Sequence, residues 1–238
     1  MSLVEEVKKK REFSGLPDSV VLRALNESGD DIKESRKLLR KYFGVFLTNK
    51  VIKGKGDLLK VHMSSKKRNY EEFYSGIFDV VGDVKSVIDL GCGVNGFSYE
   101  FLPKGVEYIG VEAAGQLVGY MNDFFEAEDF DAKAIEGDLF DVDNVVEILR
   151  RAKKDRVVFM FQVVDALESM KRDFSKELIS LVMGNSEWLV VSLPTVSLGG
   201  RKRFEVDRKW LVDFLKGDFE IRKDFEMFGE RVLVVGNK

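Results

Sequence analysis

Apolar residues recur along this chain in two rhythms. From Val87 onward, short apolar runs alternate with longer stretches of mixed polarity. Val87-Ile88-Asp89, Val106–Val111, Ala132–Leu139, Arg156–Gln162 and Trp188–Pro194 read as five strands. Strands separated by helical segments predict a parallel sheet covered by helices on both faces. The chain then carries two more strand patterns, 219–225 and 231–235, joined through Gly229. That pair predicts an antiparallel hairpin. Before residue 70 the rhythm is helical. Residues 3–13 predict one helix, broken at Ser14-Gly15-Leu16-Pro17. A second starts at a cap on Asp18 or Ser19 and carries Val20, Val21, Leu22 and Leu25. A third spans 31–47, with Ile32, Leu38, Leu39, Phe43 and Phe46 near helical spacing.

The first strand runs into Leu90-Gly91-Cys92-Gly93-Val94-Asn95-Gly96 and then a predicted helix over Phe97–Leu102. Glycines at 91, 93 and 96 fit G-x-G-x-x-G, a weak dinucleotide signal by itself. Asp89 makes the segment D-x-G-x-G, which resembles the first motif of class I S-adenosylmethionine (SAM) methyltransferases. Glu112 ends the second strand, 21 positions after Gly91. An acid there accepts hydrogen bonds from ribose hydroxyls, which fits SAM and NAD equally. Asp138 follows the third strand. One such acid alone reads as a solvated strand end; Asp89, Glu112 and Asp138 in register read as a site. The terminal hairpin favours the methyltransferase sheet over the dinucleotide fold. The expected fold is therefore α/β, a class I SAM methyltransferase Rossmann-like sheet with a C-terminal antiparallel hairpin. A small all-helical domain over 1–70 precedes a SAM-binding domain over 71–238.

Charge divides along the same line. The net charge is −3. Residues 1–70 hold 17 Lys/Arg against 9 Asp/Glu, and the rest hold 21 against 32. A basic module on an acidic domain suggests a local polyanion-docking surface. Lys33, Arg36, Lys37, Arg40 and Lys41 fall on one helical face, and the loop 49–56 is basic as well. The one cysteine, Cys92, excludes an intrachain disulfide, and with His62 the only histidine no Cys/His metal cluster forms. No apolar run approaches the length of a membrane span. A cytoplasmic, metal-free monomer is expected.

Two further segments carry a family resemblance. One is His62-Met63-Ser64-Ser65-Lys66-Lys67-Arg68, followed by Phe73-Tyr74. The other is Pro194-Thr195-Val196-Ser197-Leu198-Gly199-Gly200-Arg201. With the glycine turn, they resemble the 16S ribosomal RNA (guanine-N7) methyltransferases of aminoglycoside resistance. The resemblance spans nearly the whole chain. It implies a helical domain docked on the small ribosomal subunit, and SAM-dependent methylation of N7 of a guanine in the decoding region of 16S rRNA.

The resemblance also implies roles. His62, Ser64 and Arg68 line the SAM pocket, with Arg68 pairing with the methionine carboxylate. Gly91 and Gly93 approach the methionine, Glu112 the ribose, and Asp138 with Leu139 the adenine. Gln162 sits near the methyl donor, Phe46 closes the pocket, and Arg201 contacts phosphate or the target base. Departures flank the target side: Lys66 in place of Arg, no proline before Leu167-Glu168, and Lys202-Arg203-Phe204-Glu205 after Arg201. Guanine N7 carries a free lone pair, so no general base is expected. Phe97, Phe161, Tyr70 and Tyr74 are candidates to stack on a flipped base, or simply core. The residues leave open a SAM-dependent methyltransferase of another RNA and a non-catalytic SAM-binding RNA assembly factor.

Overall fold

The computed structural model describes residues 2–43, 59, 67–196 and 208–238. Its sheet follows the apolar runs. The strands are β1 (Ser86–Leu90), β2 (Glu107–Glu112), β3 (Ala132–Glu136), β4 (Arg156–Phe161), β5 (Trp188–Pro194), β6 (Glu220–Met227) and β7 (Glu230–Gly236). Their order is β3-β2-β1-β4-β5-β7-β6. The first five are parallel; β7 runs antiparallel between β5 and β6. Every residue of β1 and of β4 is buried, as expected for strands covered on both faces. This is the class I methyltransferase fold with its terminal hairpin. The hairpin turn places Phe228 at φ 54° and Gly229 at φ 82°, matching the handedness that tight hairpins need.

Strand alternation divides the core in two. Val87, Phe159, Phe161 and Val232 face α4 (Tyr70–Val81), where Phe73, Tyr74 and Ile77 are buried. Ile88, Val158, Met160 and Leu233 face the other side. There α6 (Val142–Arg151), α8 (Phe174–Met183) and α9 (Lys209–Asp218) cover the sheet. Two further described helices are α5 (Gly115–Ala127), after β2, and α7 (Val164–Met170), after β4.

A third core belongs to the N-terminal helices α1 (Leu3–Lys8), α2 (Asp18–Glu27) and α3 (Ile32–Phe43). The helix expected over 3–13 divides here. Ser2 and Glu5 form a capping box on α1, but Lys10 is extended at φ −76° and ψ 122°. That break lets Phe13, in a short 3₁₀ turn, drop into the core that holds Val4 and Val7. The expected third helix is described to Phe43; residues 44–47 lie outside the described residues.

The helix expected after the glycine turn is a 3₁₀ segment, Asn95–Phe101. Ser98 Oγ donates to the Asn95 carbonyl at 2.6 Å, tightening the turn, and Pro103 bars extension into an α-helix.

The helical module docks on the segments that follow β2 and β4. Gly115 N–H donates to the Gly15 carbonyl at 2.7 Å. Gln116 Nε2 donates to Ser14 Oγ at 3.2 Å, and Tyr42 donates to the Ser169 carbonyl at 3.3 Å.

Candidate cofactor and substrate site

The strand order reverses between β1 and β4, and ligands of open α/β sheets gather outside the carboxyl ends of strands at such a switch point. A cavity of about 330 Å³ lies there, within the range of small-molecule sites. The glycine turn, Glu112, Asp138, Leu139 and Gln162 line the sheet side. Val20 and Arg23 of α2 and Lys41, Tyr42 and Phe43 of α3 line the other.

The turn requires glycine for a steric reason. Gly91 has φ 71°, and a Cβ there would lie 2.8 Å from Val163 Cγ2. Gly93, at φ 54°, donates its N–H to Glu112 Oε2 at 3.0 Å. Glu112 Oε1 accepts from Ala114 N–H at 2.9 Å. Two backbone donors thus hold the carboxylate rigid at the cavity wall. Burial still pushes its pKa above the ordinary glutamate value, against those hydrogen bonds. Gly96, third in the pattern, packs instead: a Cβ there would meet Met121 Sδ at 2.8 Å.

Asp89 belongs to the turn without lining the cavity. It is fully buried, and its Oδ2 accepts from Asn95 Nδ2 at 2.7 Å and Tyr108 Oη at 3.0 Å. Oδ1 has no hydrogen-bond partner among the described residues. Burial raises its pKa to about 6, despite the Asn95 and Tyr108 bonds and the Arg68 charge. Asp89 therefore anchors the loop from beneath, because Asn95 itself faces the cavity.

Arg68 is on the cavity wall, held from behind. Its Nε and Nη2 each donate 2.7 Å bonds to the two Glu230 oxygens, and Nη1 donates to Asn95 Oδ1 at 3.2 Å. Ser192 Oγ also donates to Glu230, at 2.7 Å. Burial would raise the Glu230 pKa, but the Arg68 charge and the Arg68, Ser192 and Gln162 hydrogen bonds hold it below the ordinary value. Gln162 caps β4 in the left-handed region at φ 55° and reaches the same carboxylate.

Asp138 receives Phe140 N–H on Oδ1 at 3.0 Å. Its Oδ2 accepts from Arg23 Nη2 at 2.6 Å. Of the aromatic candidates, Phe161 lines the cavity, Tyr70 and Tyr74 lie in the core, and Phe97 packs against it.

The structure thus brings Arg68, Gly91, Gly93, Glu112, Asp138, Leu139 and Gln162 around one cavity. Phe46, His62, Ser64 and Arg201 lie outside the described residues, as does the loop 49–56.

Sequence reasoning missed Arg23, which carries no signal on an ordinary helix face. It also missed Glu230, an acid at the start of the apolar run Val232–Val235 and so detectable in principle. A third omission is Arg208, bidentate to Asp165 on the cavity rim at 3.2 and 2.5 Å.

The basic face of α3 differs from its expected form. Arg36 donates to the Glu6 and Val7 carbonyls at 2.5 and 3.4 Å. Arg40 pairs with Glu12, and Lys37 with Glu34. Arg36 thereby satisfies carbonyls near the end of α1, and the cationic face is partly neutralised within the module.

The family model described as ribosomal RNA methyltransferase (FmrO) matches residues 48–209. No curated protein sequence matches significantly. The solved structure of the 16S rRNA methylase RmtB is similar with TM-score 0.76 and 20% identity, over 99% of this chain and 97% of that one. An rRNA methylase from Escherichia coli gives 0.73 and 19%, over 99% and 98%. The 16S rRNA methyltransferase RmtF, in complex with S-adenosyl-L-homocysteine (SAH), gives 0.74 and 19%, over 99% and 97%. At these identities the likeness is one of fold.

Proposed function

The chain belongs to the ribosomal RNA methyltransferase (FmrO) family, and we propose that it methylates N7 of a guanine in the decoding region of 16S rRNA within the small ribosomal subunit, with SAM as donor. The observation that carries this reading is the cavity itself. Glycine backbone, a braced Glu112 and Asp138 stand in sequence at the ends of three adjacent strands. That donor and acceptor set suits an amino acid joined to a nucleoside. A side chain at Gly91 would collide with Val163 on the cavity wall.

Asp138 and Leu139 would hold the adenine, Glu112 the ribose hydroxyls, and Gly91 and Gly93 the methionine backbone. Arg68 uses three of its five N–H donors on Glu230 and Asn95, which leaves two for the methionine carboxylate. Bound SAM supplies a methyl group on a positively charged sulfur. The chain's own task is alignment and exclusion of water. The N7 lone pair is free, so no residue need remove a proton before attack. Positioning of this kind supplies roughly 7–11 kcal/mol in favourable cases. Phe161, on the wall, offers an apolar surface for an extruded base.

The basic N-terminal module would dock the enzyme on the subunit. His62, Ser64 and Phe46 complete the cofactor side in this reading, and Arg201 the RNA side. The protein would work as a cytoplasmic monomer. No described helix is long and apolar enough to cross a membrane.

The test is methyl transfer from radiolabelled SAM to purified 30S subunits, naked 16S RNA and bulk transfer RNA, with the product mapped by mass spectrometry. Label as 7-methylguanine in the decoding region of 30S subunits supports the reading. Label in another RNA overturns the target, and no label in any of them overturns the activity.

A further inference from the structure

Arg23 lies on α2, in the helical module, yet it is bonded to an acid of the cofactor cavity. Its Nη2 donates to Asp138 Oδ2 at 2.6 Å. Its guanidinium carbon lies 3.8 Å over the centre of the Phe140 ring. Phe140 in turn stacks on Phe174, with centroids 4.0 Å apart and planes 12° from parallel. Arg23 is itself part of the cavity wall, and its side chain is 34% exposed.

We propose that Arg23 is a positioning residue for the nucleobase end of the cofactor, fixing the Asp138 carboxylate so that the site prefers an exocyclic amino group. The inference rests on the cofactor placement proposed above. Phe140 N–H fixes one Asp138 oxygen and Arg23 the other, so the carboxylate cannot rotate freely. A carboxylate has about four lone-pair directions. Two donors therefore leave acceptor positions for an adenine amino group. Stacking on Phe140 holds the guanidinium plane, which a flexible ammonium would not reproduce. The helix carrying Arg23 is anchored by Val21, Ala24 and Leu25 in the module's core, and the module is pinned by the Gly15–Gly115 bond. The RNA-docking module is thereby also a component of the cofactor site.

The chemistry gives a specific readout. An amino group at the purine 6-position donates to Asp138; an oxo group there does not, and leaves the carboxylate facing another acceptor. Calorimetric titration of the full-length protein with SAH and with S-inosyl-L-homocysteine measures the preference directly. The unaltered protein is expected to favour SAH by at least about tenfold. Arg23→Ala is expected to weaken SAH binding about tenfold while leaving the inosyl analogue nearly unchanged. Arg23→Lys is expected to fall between the two, and thermal unfolding checks that each variant is folded. In an Asp138→Ala background, Arg23→Ala is expected to add nothing. Equal weakening of both ligands, unchanged SAH binding, or additivity with Asp138→Ala would overturn the inference and leave the cofactor reading standing. Failure of the unaltered protein to bind SAH would overturn that reading and this inference with it.

Discussion

Arg68 and Glu230, 162 residues apart, form a bidentate pair with both bonds at 2.7 Å, and their side chains are 4% and 3% exposed. The pair ties the start of α4 to the first residue of β7. It also faces the cavity through Arg68, so one contact braces the fold and shapes the cavity wall. Its environment is apolar: the guanidinium carbon lies 4.6 Å from the Phe73 ring centre and 5.1 Å from that of Phe161.

Glu230→Ala would leave that guanidinium buried without its counter-charge. Removing one partner of a buried pair costs about 3–5 kcal/mol, whereas replacing both with apolar groups is often neutral. Urea unfolding is expected to show a loss of that size for Glu230→Ala. Most of it should be recovered in Arg68→Met/Glu230→Leu. SAH binding should stay weak in the double variant, because the cavity has lost the Arg68 guanidinium. A loss below about 1 kcal/mol in the single variant would contradict the pair's structural weight.

Asp89 predicts a pH signature. Its pKa rises from the ordinary 3.8 to about 6 on folding. Between those values the native state keeps a proton that the unfolded chain has lost. Its contribution is therefore full below about pH 4 and is lost as pH rises through 6, a change of about 3 kcal/mol. Asp89→Asn keeps an oxygen for Asn95 and Tyr108 and removes the titration. The stability of the natural protein minus that of Asp89→Asn should fall between pH 4 and 7. A flat difference in denaturant melts would refute the assignment.

Glu112 should matter to both ligand and fold. Glu112→Ala strips the partner from the Gly93 and Ala114 N–H groups and removes the proposed ribose acceptor. SAH affinity is expected to drop at least about tenfold by calorimetry, with about 1–3 kcal/mol of lost stability. Unchanged affinity would remove Glu112 from the site.

The N-terminal arginines and lysines should separate by role. Arg36→Ala exposes the Glu6 and Val7 carbonyls it now satisfies and is expected to lower stability by about 1–3 kcal/mol. Lys33 is exposed. Lys33→Ala should leave melting unchanged, weaken binding to 30S subunits and reduce the salt slope by about one. Equal effects of the two substitutions on melting would undo the distinction.

Much of this was written in local pattern. Burial on both sides makes the central strands β1 and β4 continuous apolar runs, while the edge strands β3 and β6 are more polar and were legible from spacing and the hairpin turn. The acids at the ends of β1 and β2 and after β3 follow from the same register, because adjacent parallel strands bring their carboxyl ends together. Helix boundaries were less legible: Lys10 breaks the first helix so that Phe13 can pack, a demand of the tertiary core and not of propensity. Only the folded chain decided which way each acid points. Asp89 turns under the glycine loop toward Asn95 and Tyr108, while Glu112 and Asp138 turn toward the cavity. Glu230 and Arg23 reach the site from distant segments, across 162 and 115 residues respectively. Sequence periodicity assigns a residue to a face; it holds no record of which remote side chain will meet it there. That meeting is set by sheet order and by the docking of the helical module, and these long-range contacts complete the site.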